Sequence, residues 1–292
     1  MSSPSTARLS PTEILRGSGS NFLTSFSSMN ADRRRGMTAI YAFCRVADDA
    51  ADACESVEEG RDHLAFWRRE LELCSEGEPE SKVGEALCAA IEEFDIDARH
   101  LHEVLTGVEM DLEGVSCEDL AALESYCHKV ASAVGLACLP VFGVKPDPQA
   151  EIYATQLGLA LQITNILRDL QVDARLGRVY VPNDALADVG IDKEWLAGSG
   201  PPSVYARGGP VDLLSRRFVE IAHERFARAA QARASLPLSD SRRLVPAEIM
   251  SAVYRELLGR VERRGGDLSI YPRVPLWRKM FLAWRVRLRG YS

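Results

Sequence analysis

Apolar residues in this chain recur mostly every three or four positions from Asp32 onward, and this spacing constrains the fold more than any other feature. Residues at that spacing lie on one face of an α-helix. Alternating β-branched runs bounded by turn residues, which are typical of strands, are scarce. The sequence therefore predicts an all-α protein.

Capping residues, glycine and proline divide this pattern into separate helices. Asn30 or Asp32 suits the start of a long helix, and the Gly- and Pro-rich segment 197–210 predicts an internal loop. Neither a repeat nor a domain boundary is evident, so we expect residues 1–292 to form one domain. The predicted helices cover residues 11–16, 20–28, 32–53, 57–75, 81–94, 98–112, 118–139, 148–172, 211–235, 243–264 and 275–289.

The charge balance argues against binding to nucleic acids. Lys and Arg number 35 against 42 Asp and Glu, which gives a net charge of -7. A nucleic-acid protein that works through overall positive charge is thereby disfavoured. Any anion that the chain binds requires a local arrangement of residues.

The cysteines, the N-terminal residues and the longest uncharged run indicate the cellular compartment of the protein. The seven cysteines show no paired C-x-x-C spacing, which favours reduced thiols over a disulfide framework or a zinc site. The segment MSSPSTARLSP lacks the apolar run of a secretory signal. The longest uncharged run, 130–144, is too short to span a bilayer and predicts a buried helix that ends near Pro140. We therefore expect a cytoplasmic protein.

The segment YAFCRVADDAAD places three carboxylates on one helix face. Asp48 and Asp52 are four residues apart, and Asp49 lies three before Asp52. Like charges at this spacing repel by about 0.2–0.5 kcal/mol, and a hard divalent cation such as Mg²⁺ would relieve that repulsion. A solvated acidic face is the alternative interpretation of this motif alone.

A second polar stripe lies in an otherwise apolar helix. Asn165, Asp169 and Asp173 recur every four residues, with Gln162 one turn earlier. Because polar side chains in an apolar helix are costly unless satisfied, this face is expected to line a cleft. Cations in the following segment, including Arg178, can neutralise phosphate oxygens. Pairing of Asp with Arg on a surface helix is the alternative interpretation.

Together the two clusters predict a site in which two carboxylate-bearing helices face each other across a Mg²⁺-bound diphosphate. The chemistry expected there is ionisation of an allylic diphosphate. An adjacent apolar cavity would then hold the organic cation, because bulk water would quench it.

Five segments, in order and spread over nearly the whole chain, resemble the squalene/phytoene synthase family. They are SGSNF, YAFCRVADDAAD, YCHKVASAVG, QITNILRDLQVDARLGRVYVP and YRELLGRVE. Within that family the chain is most similar to the bacterial presqualene diphosphate synthases, followed by phytoene and dehydrosqualene synthases. The resemblance implies an isoprenoid (terpenoid) synthase fold, with a single helical domain around a central cavity.

The resemblance also implies roles for individual residues. The residues that would bind Mg²⁺ are Asp48, Asp52, Asn165, Asp169 and Asp173. The catalytic group would comprise those four aspartates with Tyr41, Arg45 and Tyr126. The residues that would bind substrate are Ser18, Ser20, Asn21, Phe22, Tyr41, Arg45, Gln162, Asn165, Arg168, Arg178 and Tyr254. Without the resemblance, Tyr126 and Tyr254 would be interpreted as core residues.

Two positions depart from the family pattern. Asn21 stands where the family usually has a second serine, and its side chain can still donate a hydrogen bond to a phosphate. Val172 stands where many members have glutamate. One supporting carboxylate is therefore missing, and weaker metal binding is expected.

The implied activity is Mg²⁺-dependent prenyl transfer. Two farnesyl diphosphates would condense head to head to presqualene diphosphate, with release of diphosphate, as a step toward squalene and hopanoids. A tyrosine or the released diphosphate would accept the proton, and use of NADPH stays open. Phytoene formation from two geranylgeranyl diphosphates, or synthesis of squalene or dehydrosqualene, is the alternative. A non-catalytic binding or assembly protein is disfavoured because the four main aspartates are present.

The C-terminal segment combines an apolar stripe with positive charge. One helical face carries Trp277, Met280, Phe281, Trp284 and Leu288, and the residues from 273 onward include cations but no acids. This pattern predicts an interfacial helix in peripheral contact with the inner face of an anionic membrane. The family resemblance implies downstream isoprenoid enzymes as partners there. A helix that packs its aromatic residues on the domain is the alternative.

Overall fold

The computed structural model describes residues 4–17 and 29–290. Its regular structure is helical and contains no strand in these residues, which confirms the all-α prediction. The predicted helix at 20–28 and the candidate residues Ser18, Ser20, Asn21 and Phe22 lie outside the described residues.

The helices follow one another along the chain with mostly short connections. They are α1 (Pro11–Gly17), α2 (Ala31–Asp52), α3 (Val57–Glu76), α4 (Lys82–Phe94), α5 (Ala98–Glu113), α6 (Leu120–Cys127), α7 (Ala133–Phe142), α8 (Pro148–Arg175), α9 (Asn183–Asp188), α10 (Pro202–Tyr205), α11 (Pro210–Ala234), α12 (Leu238–Arg243), α13 (Val245–Arg264) and α14 (Leu276–Gly290). Short 3₁₀ helices cover Ser5–Arg8 and Lys193–Ala197.

Local capping explains where the long helices begin. Asn30 caps α2 by accepting a hydrogen bond from the backbone N–H of Arg33 at 3.0 Å. Ser56 caps α3 in the same way, with the N–H of Glu59 at 3.1 Å. The short helices α9, α10 and α12 are missed from the sequence, since one or two turns are too few to show an apolar period.

The helix predicted over 118–139 is interrupted in the structure. A π-helical turn at His128–Ser132 separates α6 from α7, and α7 passes through Pro140 to Phe142. The left-handed residue Gly143, with φ of 76°, ends the helix in place of the proline. The π turn packs directly against the backbone of α8 at Gly158, where there is no room for a side chain. A Cβ at this position would lie 2.5 Å from the Cα of Ser132.

A hydrophobic core places α2 and α8 around one cavity. In the described part of the chain, this core extends from Ala7 to Val274. α8 contacts α7, α11, α13 and the π turn, whereas α2 contacts α1, α3, α4, α5 and α7. Because α2 and α8 both contact α7, the two carboxylate clusters are brought near each other across the interior.

The last helix, α14, leaves its aromatic stripe in solvent. Trp277 is 67% exposed and Trp284 is 56% exposed. The opposite face packs on α13 through the buried residue Ala283 and through an ion pair of 3.0 Å between Arg278 and Glu256. The alternative that the aromatic residues pack on the domain is therefore wrong. Within residues 4–17 and 29–290, no helix has the length and apolarity needed to cross a membrane.

Candidate active site

An apolar cavity of about 330 Å³ lies between α2, α5, α7, α8 and α13. Its apolar wall includes Met37, Ile40, Val134, Leu157 and Met250. The predicted site residues that line it are Tyr41, Arg45, Asp48, Gln162, Asn165 and Tyr254. Such a wall, with a few polar groups at one end, suits a ligand that has a hydrocarbon chain and a polar head.

A polar cleft of about 280 Å³ adjoins this cavity. Asp48, Gln162 and Asn165 line both spaces, so the cleft and the cavity share a boundary. The carboxylates that line the cleft come from α2, α5 and α8 and are Asp48, Asp52, Asp111, Asp169 and Asp173. The structure thus brings both predicted carboxylate clusters into one cleft.

Each of the two arginines in the cleft pairs with a carboxylate. Arg178 Nη1 lies 2.6 Å from Asp52 Oδ1. Arg168 contacts Asp169 through two nitrogens, with Nε 2.8 Å from Oδ1. The side chains of Arg168 and Asp169 are 22% and 20% exposed, whereas that of Asp52 is 48% exposed, so the Arg168 pair is the better shielded of the two.

Arg45 and Tyr254 belong to the cavity side of the site. Arg45 Nη2 lies 2.5 Å from Asp49 Oδ1, so Asp49 neutralises Arg45 and does not join the lining of the cleft. Tyr254 is buried in α13 and lines the cavity. Both residues therefore line the cavity and not the cleft.

Burial, together with the crowding of carboxylates, raises two pKa values in the cleft. Asp48 is open to the cleft, yet the surrounding protein displaces water from its carboxyl group, and the neighbouring charge of Asp52 adds to this effect. These causes raise the pKa of Asp48 to about 7. Burial, followed by the charge of Asp169, likewise raises the pKa of Asp173 to about 7. Ionising either carboxyl group therefore costs free energy unless a cation compensates its charge.

The residues of the cleft fit a hard divalent cation. Five aspartates but only two arginines line the cleft. Asn165 Oδ1 is buried and accepts no hydrogen bond from the described residues, although such an oxygen normally has a partner. Carboxylate and amide oxygens are the ligands that Mg²⁺ prefers. The donor set thus agrees with the Mg²⁺ site that the resemblance implies.

Asp111 is a candidate residue that the sequence analysis does not identify. It accepts hydrogen bonds of 2.9 Å from the hydroxyls of Tyr126 and Tyr180, whose rings stack with centroids 5.2 Å apart. Burial raises the pKa of Asp111, while the two hydroxyls oppose that shift. The overlooked signal is that Asp111 continues the apolar stripe of Val104 and Val108 on α5.

Two residues late in the chain support the second carboxylate cluster. The Tyr271 hydroxyl donates to Asp169 Oδ1 at 2.7 Å. Arg264 is buried and donates to the carbonyl of Leu167 at 3.0 Å, and burial lowers its pKa to about 10. These contacts span 102 and 97 residues, so no local pattern identifies them.

Known sequences are similar to this chain over most of its length. The family profile described as squalene/phytoene synthase matches residues 15–281. The presqualene diphosphate synthase of Rhodopseudomonas palustris is 32% identical over 260 residues, which cover 88% of this chain and 88% of that protein. The 15-cis-phytoene synthase of Synechococcus elongatus is 32% identical over 268 residues, which cover 85% of this chain and 82% of that protein.

Solved structures share the fold. A dehydrosqualene synthase in complex with ligand superposes with a TM-score of 0.82 at 26% identity, covering 97% of this chain and 95% of that chain. A squalene synthase from Alicyclobacillus acidocaldarius gives a TM-score of 0.71 at 21% identity, covering 97% of this chain and 93% of that chain. The predicted isoprenoid synthase fold is confirmed. On this sequence and structural similarity, the chain belongs to the squalene/phytoene synthase family.

Proposed function

We propose that this protein joins two molecules of farnesyl diphosphate head to head to give presqualene diphosphate, with release of one diphosphate. The observation that carries the proposal is the shared boundary between a carboxylate-lined cleft and an apolar cavity. A diphosphate suits the cleft, and a farnesyl chain suits the cavity. The choice of product is supported by the similarity to the presqualene diphosphate synthase of Rhodopseudomonas palustris.

We also propose that residues 1–292 act as one domain. The support for this is the hydrophobic core that extends from Ala7 to Val274 within the described residues.

The polar half of the site would hold the diphosphate groups. The metal ligands that we propose are Asp48, Asp52, Asn165, Asp169 and Asp173, all of which line the cleft. Mg²⁺ bound there supplies positive charge that stabilises a departing diphosphate. Arg168 and Arg178 line the same cleft and would bind the remaining diphosphate oxygens.

The apolar half of the site would protect the carbocation. After diphosphate leaves the first molecule, the C2–C3 double bond of the second molecule attacks C1 of the resulting farnesyl cation. Loss of a proton from C1 of the second molecule closes the cyclopropane ring. The released diphosphate or a tyrosine hydroxyl accepts that proton, and Tyr41 at the cavity and Tyr126 at the cleft are the candidate tyrosines. The cavity wall excludes water, which would otherwise trap the cation as an alcohol.

A second candidate product is phytoene, formed from two geranylgeranyl diphosphates. The specific observation that favours it is the 32% identity to the phytoene synthase of Synechococcus elongatus, which equals the identity to the presqualene diphosphate synthase. The longer substrate needs a longer cavity, so the two candidates differ in the length of chain that the site accepts.

The test is incubation of the purified protein with each prenyl diphosphate and Mg²⁺, with and without NADPH, followed by mass analysis of the lipids. Presqualene diphosphate formed without NADPH supports the proposal. Squalene that appears only with NADPH would extend the reaction beyond that step. Phytoene formed only from geranylgeranyl diphosphate would replace the proposal, and no product from either substrate would favour a non-catalytic role.

We propose in addition that α14 contacts the surface of an anionic membrane. Its exposed stripe carries Trp277 and Trp284, and cations flank that stripe. Burial, followed by the nearby charge of Arg168, lowers the pKa of Lys279, which supports a position of α14 near the cleft. A product with two long apolar chains would pass from such a site into lipid, where downstream isoprenoid enzymes would use it.

A further inference from the structure

A second group of metal-ligating side chains lies where α2 gives way to α3. Cys54 Sγ and His63 Nδ1 are 3.1 Å apart. A carboxylate oxygen of Glu59 completes a group of three ligand atoms that all lie within 4.8 Å of one another. Among the described residues, no other group of three or more His, Cys, Asp or Glu side chains is as closely spaced.

The local sequence explains why these three side chains meet. Glu59 and His63 are four residues apart on α3, so they share one face of that helix. The carboxylate of Glu59 turns back toward the start of the helix and accepts a hydrogen bond of 2.8 Å from the N–H of Glu55. This reversal brings the carboxylate to the loop that contains Cys54, directly after α2 ends at Asp52.

The hydrogen bonds alone do not use the full capacity of the group. Glu59 acts in a helix cap, and Cys54 contacts His63, so each residue has a structural role without a metal. A carboxylate offers about four lone-pair sites, however, and the cap occupies one of them. The Glu59 side chain is exposed while Cys54 and His63 are half-buried, so an ion can enter from solvent and keep a water ligand.

The donor atoms select a class of ion. One sulfur, one imidazole nitrogen and one carboxylate oxygen suit Zn²⁺ and related transition metals, which bind Cys, His and Glu in tetrahedral sites. Mg²⁺ prefers oxygen ligands and has little affinity for thiolate. The chemistry of this group therefore differs from that of the carboxylate cleft.

We propose that Cys54, Glu59 and His63 form a binding site for a divalent ion of the Zn²⁺ class, with water in the remaining coordination position. This site shares no ligand with the proposed Mg²⁺ site and does not depend on the proposed reaction. The spacing of cysteines in the sequence disfavours a zinc site, but the ligands here come from one loop residue and two positions one helical turn apart.

The experiment titrates the full-length, reduced protein with Co²⁺ as a probe for Zn²⁺, in the presence of a large excess of Mg²⁺ that occupies the carboxylate cleft. We expect one equivalent of Co²⁺ to bind with an intense thiolate-to-cobalt charge-transfer band in the near ultraviolet, and one equivalent of Zn²⁺ to abolish that band. Absence of the band, or its loss when Mg²⁺ is raised further, would overturn the proposal.

Substitutions of the three proposed ligands test whether these residues bind the ion. Cys54→Ser is expected to remove the band, and Glu59→Gln and His63→Gln are each expected to weaken Zn²⁺ binding by at least about tenfold, since even outer-shell changes cost about 10–100-fold in metal affinity. Cys88→Ser is the matched control, because this half-buried thiol donates to the Cys74 carbonyl away from the site. A band that persists in Cys54→Ser would place the ion elsewhere, and the two helix variants decide the question if Cys54→Ser does not fold.

Discussion

Arg178 and Asp52 form an ion pair of 2.6 Å although 126 residues separate them in the chain. Arg178 also donates to the carbonyl of Ala51 at 3.0 Å, so it contacts both the side chain and the backbone at the end of α2. The segment that follows the second carboxylate cluster is thereby tied to the end of the first. This contact helps to position the ends of α2 and α8 at the cleft.

The carboxylates of the cleft are expected to be required for turnover. Asp48→Ala and Asp169→Ala each remove a proposed metal ligand, so Mg²⁺-dependent conversion of prenyl diphosphate is expected to be abolished. The helical circular dichroism is expected to persist, because neither carboxyl group belongs to the hydrophobic core. The measurement is product formation at saturating Mg²⁺.

Asp32→Ala is the control for this pair of variants. Asp32 lies at the start of α2 in an exposed pair with Arg35, and such pairs contribute only about 0–1 kcal/mol. Near-normal activity of Asp48→Ala or Asp169→Ala, at the level of this control, would contradict the two-cluster site.

The raised pKa values of Asp48 and Asp173 predict a pH dependence of stability without Mg²⁺. Both carboxyls have an ordinary value of 3.8 and are raised to about 7 in the fold. The folded state therefore binds more protons than the unfolded state between these values, and the free energy of unfolding falls as pH rises from about 4 to about 7. The free energy of unfolding of Asp48→Asn is expected to depend less on pH. It is expected to exceed that of the parent protein by the largest amount above about pH 7.

Mg²⁺ is expected to reverse this trend, because it binds the ionised carboxylates. The stabilisation by Mg²⁺, measured as a shift of the thermal unfolding midpoint, is expected to be larger at about pH 8 than at about pH 5.5. An equal shift at both values, or parallel pH profiles for Asp48→Asn and the parent protein, would argue against a crowded carboxylate cleft that binds metal.

Tyr126→Phe tests whether the hydroxyl of Tyr126 acts in catalysis or only stabilises the structure. The hydroxyl of Tyr126 donates to Asp111 in the cleft, and a residue that moves a proton typically contributes about 10²–10⁴-fold to the rate. Turnover is therefore expected to fall at least about 100-fold, with a loss of only about 1–3 kcal/mol in the free energy of unfolding. Tyr205→Phe removes a hydroxyl that bonds Gly200 and Trp195, outside the cavity and the cleft, and is expected to keep its activity. Comparable turnover in the two variants would remove Tyr126 from the catalytic group.

The exposed stripe of α14 is expected to control binding to anionic vesicles. The double variant Trp277→Ser and Trp284→Ser removes the two largest exposed side chains of the stripe while leaving Ala283 packed on α13. Vesicle cosedimentation is expected to fall, and activity in detergent is expected to change less. Leu238→Ser, at a residue that is 66% exposed outside α14, is the matched control and is expected to bind as the parent protein does. If the double variant binds vesicles as well as the parent protein does, the exposed stripe of α14 is not the membrane-binding surface.

Close packing at Gly158 predicts a large effect for a small substitution. A Cβ there would lie 2.5 Å from the Cα and 2.6 Å from the N of Ser132, and backbone cannot move aside as a flexible side chain can. Gly158→Ala is expected to lower the free energy of unfolding by about 1–3 kcal/mol. Gly259→Ala on α13, whose nearest neighbour is Arg263 Nη1 at 3.6 Å, is expected to raise it by up to about 1 kcal/mol. Equal stability of the two variants in urea unfolding would contradict this account of the π turn.

Local chemistry was sufficient to predict the long helices and the two polar stripes. Asn30 and Ser56 act as caps through atoms three residues away, and Asp169 and Asp173 share a face because of helical periodicity. Such features depend on neighbours within one or two turns, so the sequence by itself determined the all-α fold class, the two polar stripes and the amphipathic character of α14.

The tertiary structure decided which groups meet. Asp111 becomes part of the site only because α5 packs beside α2, and Arg264 and Tyr271 support α8 from about 100 residues away. The cluster of Cys54, Glu59 and His63 likewise depends on how the α2–α3 connection folds back on α3. The physical reason is that burial and hydrogen bonding between distant segments follow from the packing of whole helices, which no local spacing encodes.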